Sequence, residues 1–223
     1  MSYIYLLLLL SIAISGISSL FIKARYDQYS KIVNTKKITG VEVAQEILKA
    51  NGLEKVYVVE TTGYLSDHFD PKANVIRLSS AVFHGDSIAA ASVAAHEVGH
   101  AIQHKEGNLL MKLRIFIVPV VNLCSKLGYI AITIGIFAQL VQLYMIGIVL
   151  LSSILFFQLI TLPVEFDASG KGLANLEKLS LLTVKEREGA RKVLVAAALT
   201  YVAGLITTLL EIARLILNVV GDR

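Results

Sequence analysis

Four long stretches of this chain contain almost no charge, and each is long enough to cross a bilayer. They are residues 4–22, 115–140, 141–162 and 193–219. A helix needs about 20 apolar residues to span the hydrocarbon core. A backbone in that medium must satisfy its own polar groups, so a spanning segment of this length is a helix. The chain therefore reads as a mostly α membrane protein with about four transmembrane helices. Residues 128–163 carry no charged side chain, which makes the second and third runs a helical hairpin with a short turn near residues 139–142. Asn122 and Lys126 interrupt the second run and blur its boundaries. Only 17% of the residues are charged, against about 25% in soluble domains, so a single soluble core is excluded.

The basic residues suggest an orientation. A signal peptide places positive charge ahead of its apolar core. Here Lys23 and Arg25 follow the first run and none precedes it, so residues 1–22 read as an uncleaved anchor with its N-terminus outside. Lys31, Lys36 and Lys37 come soon after. Lys112 and Arg114 precede the second run, and Lys171, Lys178, Lys185, Arg187, Arg191 and Lys192 lie between the third and fourth. Positive residues stay on the cytoplasmic side. This places a domain of residues 23–114 and a segment of residues 163–192 in the cytoplasm, separated by the hairpin 115–162 and followed by a last span and tail, 193–223. The net charge of +4 fits contact with anionic lipids of the bilayer and calls for no nucleic acid. Cys124 is the only cysteine, so it forms no internal disulfide and reads as a packing residue.

Residues 23–114 have the pattern of a small α+β domain. Thr39 and Glu42 form a capping-box pair for a helix that should end at Asn51 and Gly52. Residues 55–60 and 75–79 read as strands, and residues 70–74 as a turn. Asp86 is a possible cap for a helix over residues 87–106. That helix holds His96-Glu97-Val98-Gly99-His100, the HExxH pattern. Residues four apart share a helical face, so both imidazoles can hold one zinc ion while Glu97 acts as general base on the attacking water. Alanines at 89, 90, 91, 94 and 95 suit close helix packing. A catalytic zinc site takes three protein ligands. His104 lies about 6 Å beyond His100 along the helix axis, too far to share a metal with both histidines unless the helix ends early. Glu165 is better placed, because a hairpin of two spans returns the chain to the side it left.

The segments 96–104 (HEVGHAIQH), 65–71 (LSDHFDP), 161–169 (TLPVEFDAS) and 196–201 (AAALTY) resemble the YugP-type bacterial membrane zinc metallopeptidases, neutral zinc metallopeptidase family 2. The resemblance covers nearly the whole chain. Its plan is similar to that of HtpX-type and CAAX prenyl peptidases, whose third ligand is a glutamate after a membrane hairpin. It implies a gluzincin site with His96, His100 and Glu165 as zinc ligands, Glu97 as catalytic base, and a protein or peptide substrate associated with the membrane. The chain departs from the HtpX-type pattern at one place. Where an aspartate is expected four residues after the ligand glutamate there is Ser169, while Asp167 lies two residues on. Either could support the ligands. His68 is a further candidate, for the oxyanion or for substrate binding, with a plain turn at Asp70-Pro71 as the alternative. By analogy of fold, residues 75–78 would supply a sheet edge for substrate. Three rival readings are a site-2-type protease with its zinc helix in the bilayer, a non-catalytic zinc-stabilised scaffold, and a transporter using Lys126, Glu211 and Arg214.

Overall fold

A computed structural model describes residues 2–63 and 66–221. Leu65 of the LSDHFDP segment and the last two residues of the tail lie outside the described residues. The elements in chain order are α1 (Ser2–Ser30), α2 (Gly40–Ala50), β1 (Tyr57–Thr61), β2 (His68–Asp70), β3 (Val75–Ser79), α3 (Ser80–Phe83), α4 (Ile88–Lys105), α5 (Leu109–Phe137), α6 (Val141–Lys178) and α7 (Val184–Gly221). Helices α1, α5, α6 and α7 are each long and apolar enough to cross a membrane. The protein is thus a mostly α membrane protein with one small sheet. The blurred second run is a continuous helix through Asn122 and Lys126. Helix α6 continues past Pro163 to Lys178, and α7 begins at Val184, so residues 163–192 are mainly helical.

The chain forms two compact units. One holds the parts of α1, α5, α6 and α7 within residues 1–19, 112–163 and 199–223. Its hairpin turns at Gln139, which has a positive φ of 56°, and Leu140 N–H closes the turn on Gly135 O at 2.9 Å. The two helices touch backbone to backbone through glycine. A Cβ on Gly147 would stand 2.8 Å from Gly128 O, and one on Gly135 would stand 2.7 Å from Tyr144 N. Small residues of this kind are how membrane helices associate where water drives nothing together. Ile132, Tyr144, Ile148, Leu151 and Leu215 form the core, and the Tyr144 hydroxyl donates to Leu215 O at 3.2 Å. Phe116, Phe137, Val149 and Phe156 are largely exposed, an apolar surface that suits lipid rather than water. Glu211 and Arg214 pair with each other one turn apart on α7, Nε to Oε2 at 2.9 Å. That pairing neutralises two of the three charges on which a transport reading would rest.

The other unit comprises Leu20–Met111 and Val164–Ala198. Helix α2 starts with the expected capping box between Thr39 and Glu42, and Asn51 caps its end. Gly52 follows with φ 64°, a conformation that favours glycine. Its apolar face, with Val43, Ala44, Ile47 and Leu48, is buried, while Glu46 and Lys49 are exposed. The sheet has the order β1-β3-β2. β1 runs parallel to β3 and β2 antiparallel to it. β3 is therefore the central strand, which corrects the expectation that residues 75–78 supply a free edge. The three-residue β2 escaped the sequence reading because it is too short to show alternation. Asp70 ends it as a turn initiator, its carboxylate accepting from the N–H groups of Lys72 at 3.0 Å and Ala73 at 3.1 Å. These bonds hold the Asp70 carboxyl below its usual range.

Helix α4 is the centre of this unit. Ser87, not Asp86, is its N-cap. Ser87 has the extended backbone a cap needs, and its hydroxyl accepts from Ala90 N–H at 3.1 Å. The helix ends at Glu106, and Gly107 takes a positive φ of 71°. Ala89, Ala90, Ala91, Ala94, Ala95 and Val98 are all buried, so the small side chains let neighbouring backbones come close.

Candidate metal centre

His96 and His100 sit one turn apart on α4, with ring centroids 4.8 Å apart and planes at 80°. The partner element is α6, whose approach is set by glycines. A Cβ on Gly99 would lie 2.2 Å from Ala168 O, and one on Gly172 would lie 2.8 Å from Ala95 O. Any larger residue at either place would push the helices apart. Their close crossing carries Glu165 onto the histidines. Its Oε2 is 3.2 Å from His96 Nε2 and 3.6 Å from His100 Nε2, and Glu165 is only 1% exposed.

These three residues bring their ligand atoms within 4.8 Å of one another. Two imidazole nitrogens and one carboxylate oxygen are a donor set that zinc takes in catalytic sites. Tetrahedral ligands at about 2.0–2.1 Å from zinc stand roughly 3.3–3.4 Å from each other, and the two observed nitrogen–oxygen separations lie on either side of that value. The far nitrogens of both rings are also engaged. His96 Nδ1 is 3.0 Å from Ser169 Oγ, and His100 Nδ1 is 3.0 Å from Gln103 Oε1. Outer partners of this kind orient metal-binding imidazoles, and here they turn both Nε2 atoms toward Glu165. The residues therefore fit a zinc ion.

Glu97 is buried beside the histidines. Burial pushes its carboxyl up from 4.5 to about 7, with the charges of Glu165 and Asp67 adding to the rise. His96 and a hydrogen bond from the Phe69 backbone oppose it. The Phe69 contact puts β2 against Glu97. Asp67 in turn is fixed to the end of β3, accepting from Ser79 N–H at 2.7 Å and from its hydroxyl at 3.0 Å.

The other sequence candidates lie around this cluster. His104 is outside it, with its ring centroid 5.8 Å from that of Phe69. His68 lies exposed on β2, its Nδ1 2.8 Å from Ser66 O. Asp167 accepts from Gln103 Nε2 at 2.7 Å, while Ser169 takes the place beside His96. The residues that sequence reasoning overlooked are Gln103, Asp67 and the glycine pair. Gln103 was findable, since it lies three positions after His100 on the same helical face. Nothing in the sequence pairs Gly99 with Ala168.

The chain belongs to the family described as "Putative neutral zinc metallopeptidase", which it matches over residues 4–220. It is 42% identical over 221 residues to a protein of Bacillus subtilis (strain 168) named "Putative membrane protease YugP". The match covers 98% of each chain. No solved structure matches it.

Proposed function

We propose that this chain is a zinc-dependent endopeptidase of the membrane, cleaving membrane-associated proteins at the cytoplasmic face of the bacterial cell membrane. The observation that carries this reading is a buried glutamate, Glu97, next to the His96–His100–Glu165 cluster. A structural zinc site closes with four ligands and has no use for a base. His96, His100 and Glu165 would hold one zinc ion, in a gluzincin arrangement. Bound there, zinc supplies a Lewis acid that polarises the scissile carbonyl and lowers the pKa of a water to about 7.

The protein's own groups do the rest. Glu97 removes the proton of the attacking water and delivers it to the leaving amine. A carboxylate beside the site can accept that proton and release it within one cycle. Ser169 and Gln103 keep the two imidazoles in orientation, the latter held by Asp167. β2 is the strand next to Glu97, and among the described residues it pairs only with β3. An extended substrate can add to its other edge by main-chain hydrogen bonds, with His68 on the same strand to contact it.

The site-2-type alternative would put α4 inside the bilayer. Against it, α4 packs on β2, β3 and α2, and α2 presents Glu46 and Lys49 outward. The test is to compare new N-termini released from membrane proteins by the zinc-loaded wild type and by Glu97→Gln. Cleavage should vanish in the variant while zinc is retained. Equal cleavage by both would refute the mechanism.

A further inference from the structure

We infer that Gln103 is a positioning residue that fixes the tautomer of His100 and fastens the histidine-bearing helix to the helix carrying Glu165. The inference rests on His96, His100 and Glu165 being the zinc ligands, and it assigns a role beyond them. The Gln103 side chain is fully buried, at 0% exposure. Its Nε2 donates to Val164 O at 2.8 Å and to Asp167 Oδ2 at 2.7 Å. Both partners can only accept, so they determine which end of the amide is nitrogen. The oxygen must then face His100, where Oε1 stands 3.0 Å from Nδ1. An amide oxygen only accepts, so Nδ1 must carry the proton. The lone pair of His100 is thereby left on Nε2, the atom that faces Glu165.

The same side chain spans two helices. Val164 and Asp167 flank Glu165 on α6, and His100 is three residues before Gln103 on α4. Lys171 continues the tie, since its Nζ lies 2.7 Å from Glu106 Oε2 and 3.8 Å from Asp167 Oδ1. A ligand on one helix is thus held in register with a ligand on the other through one buried amide. Ser169 cannot impose the same order on His96, because a hydroxyl both donates and accepts.

The test uses the full chain in detergent. Zinc affinity is measured by competition with a chromophoric chelator, and the visible spectrum is recorded after cobalt substitution. Gln103→Leu should weaken zinc binding by about 10–100-fold and alter the cobalt spectrum. Gln103→Glu keeps the acceptor for His100 but sets a carboxylate against Asp167 and Val164 O, so it should also bind weakly. Combining Gln103→Glu with Asp167→Asn restores a donor opposite that carboxylate, and most of the affinity should return. If Gln103→Leu does not fold, the single Gln103→Glu against the combined variant decides the matter. Wild-type affinity in Gln103→Leu, or no recovery in the combined variant, would overturn the inference. Glu165→Ala is the separate control: if it keeps wild-type affinity, the ligand assignment itself fails.

Discussion

Replacing Glu97 by glutamine should change how the stability of the zinc-free protein depends on pH. In the folded chain burial raises the Glu97 carboxyl from 4.5 to about 7. The folded state therefore binds a proton more tightly than the unfolded one. Below about pH 4.5 both states are protonated and burying the group carries no ionisation cost. Between that pH and about 7 the unfolded chain gives up its proton first, so stability falls as pH rises. Above 7 the full cost is present. At about 1.4 kcal/mol per pH unit the rise is worth about 3 kcal/mol. Glutamine keeps the shape and cannot ionise. The rest of the chain is common to the two proteins, so the difference between them reports on the Glu97 carboxyl. The variant should then gain on the wild type by about 3 kcal/mol between pH 4.5 and pH 8, which is roughly 6–12 °C in Tm for a chain of this size. The assay is thermal unfolding followed by circular dichroism, in detergent with a chelator present. A wild-type minus variant difference that stays flat across this range would refute the burial argument. Added zinc should shrink the effect, because a nearby cation favours the carboxylate.

Three further outcomes follow from the geometry. Dialysed Glu165→Ala should lose its zinc while His104→Ala keeps it, as read by metal analysis; the opposite pattern would move the third ligand to His104. Gly99→Ala should destabilise the protein by about 1–3 kcal/mol and weaken zinc binding, because a Cβ 2.2 Å from Ala168 O forces α4 and α6 apart; unchanged zinc affinity would show that this crossing does not set the site. In a Cys124→Ala background, Lys36→Cys and Lys178→Cys should resist an impermeant thiol reagent in intact cells while Ala138→Cys in the hairpin turn reacts; the reverse labelling would invert the proposed orientation.

The membrane helices were legible because their signal is cumulative. Some twenty residues each repeat one message, that lipid tolerates them, and a single Lys126 does not erase it. Caps are legible where two residues agree, as Thr39 and Glu42 do, and are misread where one stands alone, as at Asp86, whose neighbour Ser87 is the cap. β2 and the extension of α6 beyond Pro163 were hidden for different reasons. Three residues are too few for a period, and a proline ordinarily argues against helix interior. The sheet order was hidden because parallel pairing of β1 with β3 joins segments whose intervening residues give no sign of it.

The candidate site divides along the same line. His96, Glu97 and His100 are read from one helical turn, since spacing alone puts their side chains on neighbouring faces. Glu165 needed a topological argument, that a hairpin brings the chain back to the side it left. What neither spacing nor topology could reach is the precision of the meeting. That depends on two helix backbones coming to within the width of a missing Cβ at Gly99 and Gly172, and on the donors of the Gln103 amide being committed to Val164 and Asp167 of α6. Such features are properties of pairs of residues about 60 to 80 positions apart. Each looks ordinary in its own neighbourhood: a glycine in a small-residue helix, a glutamine near a helix end. Their meaning arises only when the partner is in place. A change at Gly99 or Gln103 should therefore damage the metal centre while leaving the fixed residues of the HExxH pattern intact.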